Sequence, residues 1–291
     1  MPQSIILDTD IGDDVDDALA LAVALHSPEL ELVGITTVFR DAPRRALLTR
    51  EVLKKFGREE VPIYAGCSDP LIADWHNLPD RQKLGRQFEA LDADLKWEDT
   101  SHAVNFLIST AREHIERGEK LVFVAIGALT NIALALHLAP DIVTGVEVHM
   151  MGGLWGRAEM EWNIRCDPEA AAMVFRSGVP LWVVSIDVTE QVVLSDEQVQ
   201  QLATAKHEGA RFLAQLIGLW GHRVVLHDPL TILSLFADIV TFEPMRLEVG
   251  LCGAERAFTQ RSEGEANARV STQVKVEAAI DLFLERILAN S

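Results

Sequence analysis

Short runs of apolar residues alternate along the chain with longer segments in which apolar residues recur at helical spacing. The short runs are typical of buried strands, and the longer segments are typical of amphipathic helices. Strands are predicted at Ser4–Leu7, Glu31–Val38, Val61–Tyr64, Lys120–Ile126, Val146–Met151, Leu181–Ile186 and Arg269–Val274. Helices are predicted at Val15–His26, Pro43–Phe56, Ser101–Arg117, Leu129–His137, Pro168–Arg176, within the mostly helical Ser195–Trp220, at Pro229–Phe236 and at Val276–Leu288.

This alternation predicts an α/β protein with an open, mostly parallel, twisted sheet and helices on both faces, as in Rossmann-like cores. The chain has no internal repeat, low-complexity tract or Pro/Gly-rich linker, so residues 1–291 are expected to form one domain. The stretch Ser68–Thr100 breaks the pattern, because it is polar and irregular and carries Trp75, Phe88 and Trp97. Such a segment is often a lid or binding loop, and a plain surface excursion is the alternative.

Charge narrows the range of partners. Lys and Arg number 26 against 44 Asp and Glu, which gives a formal net charge of −18. Binding to a nucleic-acid backbone requires clustered Lys and Arg, so no nucleic-acid partner is expected. Cations and neutral small molecules are the more natural ligands.

The N-terminal residues and the cysteines predict a compartment. Met-Pro-Gln-Ser followed by Ile-Ile-Leu-Asp lacks the basic and long apolar regions of a signal peptide, and no apolar stretch approaches the roughly 18 residues of a membrane span. Cys67, Cys166 and Cys252 are too few and too widely spaced to form a disulfide framework. We therefore expect a soluble, reduced, cytoplasmic protein with no membrane partner.

The most informative segment is an aspartate cluster. Six of the ten residues from Asp8 to Asp17 are aspartates, and they lie between a predicted strand and the helix that follows it. Helix capping accounts for one or two of them. The remainder would repel one another unless a cation or protons neutralised them, and a hard, oxygen-liganded ion such as Ca²⁺ or Mg²⁺ is the simplest solution.

Three kinds of carboxylate site compete for this segment. A calcium-binding EF-hand loop starting at Asp8 requires a Glu where this chain has Leu19, which excludes it. A phosphatase of the haloacid-dehalogenase type also places Asp-x-Asp after its first strand, and here Asp8 and Asp10 would serve. The nucleoside hydrolases have a strand followed by Asp-x-Asp-x-Gly-x-Asp-Asp-Ala.

Over nearly its whole length the sequence resembles the inosine–uridine type of nucleoside hydrolase. The resemblance depends on fragments that occur in the family's order: Asp8–Ala18, Ile35–Val38, Val61–Gly66, Ile126–Ala133, Met151–Gly153, Glu161–Asn163, Asp167–Ala171 and His227–Leu230. Each fragment alone is weak, but their order is specific. The resemblance implies the nucleoside hydrolase fold and Ca²⁺-dependent hydrolysis of the N-glycosidic bond of a ribonucleoside to free base and sugar.

The resemblance also implies roles for individual residues. Asp10 would ligate the calcium ion and act as the general base toward metal-bound water. The other metal ligands would be Asp17, the backbone carbonyl of Ile126, and Asp228. His227 resembles the histidine that assists departure of the base in some members.

Substrate contacts follow from the same resemblance, and would come from Asp16, Asp41, Met151, Glu161 and Asn163. If this sequence is aligned with the family motif through the start of the helix near Val15, Asp16 would accept a ribose hydroxyl. If Glu161 and Asn163 lie in an extended loop, they would point to the same side and contact two hydroxyl groups. The resemblance also implies that the protein forms a homodimer or homotetramer.

The sequence departs from the family pattern in three places. Two extra residues lie between Gly12 and the Asp-Asp-Ala triplet, so Asp13 and Asp14 also compete for the metal. Phe39-Arg40-Asp41 replaces a common Val-Gly-Asn, and the usual Gly-Asn is not recognisable in Leu154–Met160. Because these positions normally touch the ribose, the identity of the sugar stays open.

Two alternative functions therefore remain. One is a Mg²⁺-dependent phosphohydrolase that uses Asp8 and Asp10. The other is a non-catalytic protein that binds a nucleoside or carbohydrate with the help of a metal.

Overall fold

The computed structural model describes residues 2–72, 85–92 and 94–288. Trp75 of the irregular stretch lies outside the described residues. None of the helices in the described ranges is long and apolar enough to cross a bilayer.

Strands and helices alternate along most of the chain. Strands β1 to β10 span Gln3–Thr9, Leu30–Thr37, Ile63–Ala65, Leu121–Ala125, Val146–Met151, Leu181–Val184, Val240–Met245, Leu247–Val249, Thr259–Arg261 and Ala268–Val274. Helices α1 to α11 span Asp16–Leu25, Ala42–Lys55, Ala103–Arg117, Thr130–Leu138, Trp162–Cys166, Pro168–Arg176, Ile186–Thr189, Asp196–Thr204, Glu208–Trp220, His227–Leu233 and Val276–Leu288.

Eight of these strands form one sheet in the order β3-β2-β1-β4-β5-β6-β10-β7. The pairs from β3 through to β10 are parallel, and the edge strand β7 runs antiparallel to β10. Strands β8 and β9 form a separate antiparallel pair. The predicted open, mostly parallel α/β sheet is confirmed.

Helices cover both faces of the sheet, as the apolar runs require. Alternate residues of β1 point to opposite faces, so Ile5 and Leu7 pack in one apolar core and Ile6 packs in the other. Every residue of α1 is buried, since α1 lies between the sheet and other helices. The aspartates that begin α1 are therefore held in a rigid, dry position.

Some elements differ from the sequence prediction. Strand β7 was not predicted; Pro244 lacks the N–H that a central strand needs, and the edge of the sheet tolerates it. The predicted strand Leu181–Ile186 ends at Val184, and the short helix α7 takes up its last residue. Ser195–Trp220 is divided into α8 and α9, because the backbone is extended at Ala205.

Candidate active site

A polar cavity opens where β1, β4 and β5 end. Asp8 lies opposite Ala125 of β4, and Ala125 lies opposite Met150 of β5, so the loops after these strands are neighbours. The cavity is lined by Asp10, Asp13, Asp14, Asp16, Asp17, Ile126, Met151, Glu161, Trp162, Asn163, Ile186, His227 and Asp228. This is the edge at which open α/β sheets bind ligands.

Three carboxylates meet inside this cavity. Asp16, Asp17 and Asp228 are buried, and each offers an oxygen within 4.8 Å of the others. Asp16 and Asp17 start α1, and Asp228 lies in the first turn of α10, which packs against α1. The Asp228 amide donates to Asp16 Oδ2 at 3.3 Å, and the Thr9 hydroxyl donates to Asp17 Oδ1.

Burial raises the pKa of the carboxyl groups of Asp10, Asp17 and Asp228. For Asp10 burial is the main cause, and neighbouring carboxylates add to it, so that its pKa rises to about 8. The pKa values of Asp17 and Asp228 are raised well above the ordinary range for the same two reasons. A divalent cation would relieve both the desolvation and the repulsion, and an all-oxygen donor set suits a hard ion such as Ca²⁺. The residues present therefore fit a calcium site.

Asp8 occupies a different environment from Asp10. Its Oδ1 accepts hydrogen bonds from the Thr36 hydroxyl at 2.5 Å and from the Asn131 amide at 2.8 Å. It is fully buried and is not among the cavity-lining residues, and burial raises its pKa to about 7. The Asp8 carboxyl therefore joins β1 to β2 and α4, which leaves it poorly placed as the nucleophile of a phosphohydrolase.

Ile126, Met151 and Asn163 also line the cavity and contact one another. The Asn163 side-chain amide donates to the carbonyl of Ile126 at 3.0 Å and to that of Met151 at 3.2 Å. Ile126, whose carbonyl the resemblance implies as a metal ligand, is among the residues that line the cavity. Asn163 fixes the orientation of this carbonyl.

Glu161 lines the cavity, and its backbone is extended where the chain enters α5. It is the N-cap of α5, and its carboxylate accepts from the amides of Gly153 at 3.0 Å, Asn163 at 2.7 Å and Ile164 at 2.9 Å. The condition of one extended loop holds for Glu161 but not for Asn163, which belongs to the first turn of α5. Much of the hydrogen-bonding capacity of its carboxylate is already used by the backbone.

Asp41 does not lie with the other predicted substrate contacts. It is exposed, it is the N-cap of α2, and its Oδ1 accepts from the Arg44 amide at 3.0 Å. An Asp before a helix is a preferred cap, and this local use overrides the position-by-position resemblance. The structure thus corrects the expected placement of Asp41 in the site.

His227 lies at the start of α10, next to Asp228. Its Nδ1 is 2.7 Å from the Thr189 hydroxyl of α7. Burial lowers the pKa of His227 to about 4, with a further lowering by Arg223 and an opposing effect of Glu190. The imidazole is therefore neutral near pH 7, and when Nδ1 accepts from Thr189 its proton is on Nε2.

A second, wider cavity adjoins the first and shares Asp13, Asp14 and Trp162 with it. It has a volume of about 490 Å³ and is also lined by Arg40, Gly85, Arg86, Leu219, Trp220 and His222. The inner cavity measures about 90 Å³. The two cavities suit a ligand with a polar part next to the carboxylates and a second part in the wider cavity, which Trp162 and Trp220 help to line.

Sequence reasoning missed Arg45. This side chain is fully buried in α2 and donates to the backbone carbonyls of Asp10 and Ile11 and to the Asp13 carboxylate. Arg45, Leu48 and Val52 share the buried side of the helix, so an arginine in an apolar stripe was the available signal.

The fold and the site together define a metal-dependent hydrolase of the nucleoside type. The family of inosine-uridine preferring nucleoside hydrolases matches residues 5–281, and the chain belongs to this family. It is 31% identical to a probable uridine nucleosidase 2 of Arabidopsis thaliana, over 99% of this chain and 98% of that protein. It is 32% identical to the inosine-uridine preferring nucleoside hydrolase of Crithidia fasciculata, over 87% of this chain and 85% of that protein.

Solved structures agree with this assignment. A plant nucleoside hydrolase superimposes with a TM-score of 0.87 at 25% identity, covering 99% of this chain and 100% of that one. A purine-preferring ribonucleoside hydrolase from Gardnerella vaginalis superimposes with a TM-score of 0.82 at 30% identity, covering 99% and 98%. The protein is an N-glycosyl hydrolase that acts on nucleosides.

Proposed function

We propose that the protein hydrolyses ribonucleosides to base and ribose with calcium as its metal ion and Asp10 as the general base. The observation that carries this proposal is the meeting of Asp10, Asp16, Asp17 and Asp228 in one cavity at the carboxyl end of the sheet. Asp10, Asp17, Asp228 and the Ile126 carbonyl would hold the ion. When bound, the ion supplies a fixed positive charge and Lewis-acid polarisation.

The Asp10 carboxylate would take the proton from the attacking water. Burial and neighbouring carboxylates raise its pKa, and a bound cation would lower it again, so that Asp10 is ionised and able to accept a proton near pH 7. Cleavage of a glycosidic bond builds positive charge on the sugar, and the surrounding carboxylates stabilise that charge. Asp16 would accept a ribose hydroxyl. Met151, Glu161 and Asn163, which line the same cavity, would also contact the substrate.

The base would lie in the wider cavity, against Trp162 and Trp220. Relatives of similar identity are named for uridine, for inosine and uridine, and for purines. Overall similarity therefore does not select a base. The preference of this chain should depend on the residues that line the wider cavity.

Replacement of Asp10 tests the central role directly. Asp10→Asn keeps the shape of the side chain and removes its basicity, so kcat for ribose release from inosine and uridine should fall by roughly 10²–10⁴-fold. Asp196→Asn, an exposed change in the first turn of α8, is the control and should leave kcat unchanged. Wild-type kcat in Asp10→Asn would contradict the proposal.

A further inference from the structure

The buried side chain of Arg45 holds the loop that carries Asp10. Arg45 is fully buried, and its Nε donates to the Phe39 carbonyl at 2.8 Å. Its Nη1 donates to the carbonyls of Asp10 and Ile11, the latter at 2.9 Å. One guanidinium thus ties the loop after β1 to the loop after β2.

Asp13 balances the charge of this guanidinium. Its Oδ2 accepts from Arg45 Nη2 at 2.9 Å and from Arg40 Nη1 at 3.0 Å. Asp13 lies between Gly12 and the Asp-Asp-Ala triplet, where this chain is two residues longer than the family's first motif. Asp13 therefore forms ion pairs with the two arginines. Asp16, Asp17 and Asp228 instead lie close to one another.

Packing alone does not account for an arginine at this position. Burying an ion costs several kcal/mol of desolvation, and an apolar side chain of similar volume often stabilises a core as well or better. What an apolar side chain lacks is a planar set of donors for several backbone carbonyls at once. The contacts of Arg45 with Asp10 and Ile11 use that property.

We propose that Arg45 is a positioning residue, which holds the Asp10–Ile11 backbone so that the Asp10 carboxylate faces the cation site, with Asp13 as its counter-ion. This inference rests on the proposed function of Asp10. Partners that orient a metal ligand typically change metal affinity or activity by roughly 10–100-fold when they are removed. A purely structural ion pair would change the stability of the fold and nothing else.

The two interpretations separate when both charges are removed together. In the double variant Asp13→Asn with Arg45→Met, both members of the Asp13–Arg45 pair lose their charge together, so neither faces an uncharged partner, and Arg40 loses only its contact with the Asp13 carboxylate. We expect the cation-free double variant to unfold cooperatively. Its Ca²⁺ dissociation constant, measured by isothermal titration calorimetry without nucleoside, should be roughly 10–100-fold weaker than wild type. Its kcat should fall more than its KM changes.

Arg45→Lys keeps the charge but loses the planar fork of donors, and it tests the same point if the double variant does not fold. It should also show weakened Ca²⁺ affinity and reduced kcat. Lys54→Met, an exposed change in the last turn of α2, is the control and should retain wild-type values. Wild-type Ca²⁺ affinity and kcat in a folded double variant, or in Arg45→Lys, would overturn the inference.

Asp10→Asn, measured alongside, separates failure of this inference from failure of the proposed function. Loss of Ca²⁺ affinity and kcat in Asp10→Asn, with none in the Arg45 variants, overturns only the positioning role. Wild-type behaviour of Asp10→Asn overturns the role of Asp10, and the positioning role falls with it. Losses in both sets of variants support the inference.

Discussion

His227 is a neutral imidazole beside the carboxylate cluster, and its position limits what it can do. Its pKa of about 4 makes it a poor source of a free proton near pH 7. A neutral imidazole that carries its proton on Nε2 still donates a hydrogen bond to a nitrogen or oxygen that gains negative charge. We therefore expect His227 to assist departure of the base by hydrogen bonding.

Replacement of His227 should affect substrates according to their leaving groups. His227→Ala should reduce kcat for inosine by up to roughly 10²–10⁴-fold, because its base leaves poorly without assistance. For p-nitrophenyl riboside, whose leaving group is stable as an anion, the reduction should be much smaller. His137→Ala, an exposed change on α4, is the control. Equal losses on both substrates would show that His227 acts on the fold or on the cation site instead.

Residue types predicted the aspartates of the site better than they predicted its other polar residues. The density of aspartates at one strand–helix junction exceeds what capping requires, so Asp10, Asp16 and Asp17 were visible in the sequence. The use of Glu161 and Asp41 as helix caps depends on where α5 and α2 begin. Element boundaries are set by backbone geometry that a sequence pattern locates only within a few residues.

Among the elements, the short 3₁₀ helix Arg86–Ala90 shows what part of the irregular stretch does. The Gln87 amide donates to the Asp14 carbonyl at 2.6 Å and to the Asp13 carbonyl at 3.3 Å. The buried ring of Phe88 packs directly over Gly12. This helix therefore contacts the loop at Gly12–Asp14, whereas Arg45 contacts the same loop at Asp10, Ile11 and Asp13.

Gly12 should therefore tolerate no side chain. Its φ of +114° is unfavourable for other residues, and an added Cβ would overlap the Phe88 ring. Gly57, with φ +65° and nothing within 4 Å of an added Cβ, is a control for a left-handed backbone position without a steric contact. Gly57→Ala should lower the free energy of unfolding by about 1 kcal/mol and Gly12→Ala by about 3 kcal/mol, in urea titrations. Equal losses would contradict the packing of Phe88 on Gly12.

Elements with strong periodicity were predictable, and short or edge elements were not. The central strands have apolar runs that only a buried strand explains, such as β4, in which every residue is buried. Helices α5 and α7 have five and four residues, too few for helical periodicity to appear. Strand β7 contains a proline and was missed for that reason.

At the scale of the whole molecule, the sheet assembles the site from distant parts of the chain. Asp16 and Asp228 are separated by 212 residues, yet the Asp228 amide donates to Asp16. The spacing of apolar residues along the chain does not predict this hydrogen bond, because the bond depends on the packing of α10 on α1. The ordered family fragments supplied it at the sequence level. The net charge of −18 fits a site that binds a cation and a neutral substrate.

The most direct test of this account is release of reducing sugar by the wild-type protein from purine and pyrimidine nucleosides. Each ribonucleoside should be compared with its 2′-deoxy counterpart, with Ca²⁺ and with a chelator. We expect sugar release from at least one ribonucleoside, its loss on chelation, its return when Ca²⁺ is added back, and slower reaction of the deoxy counterpart. Chelator-resistant hydrolysis, or Ca²⁺ binding with no sugar released from any ribonucleoside, would contradict the proposed calcium-dependent ribonucleoside hydrolysis.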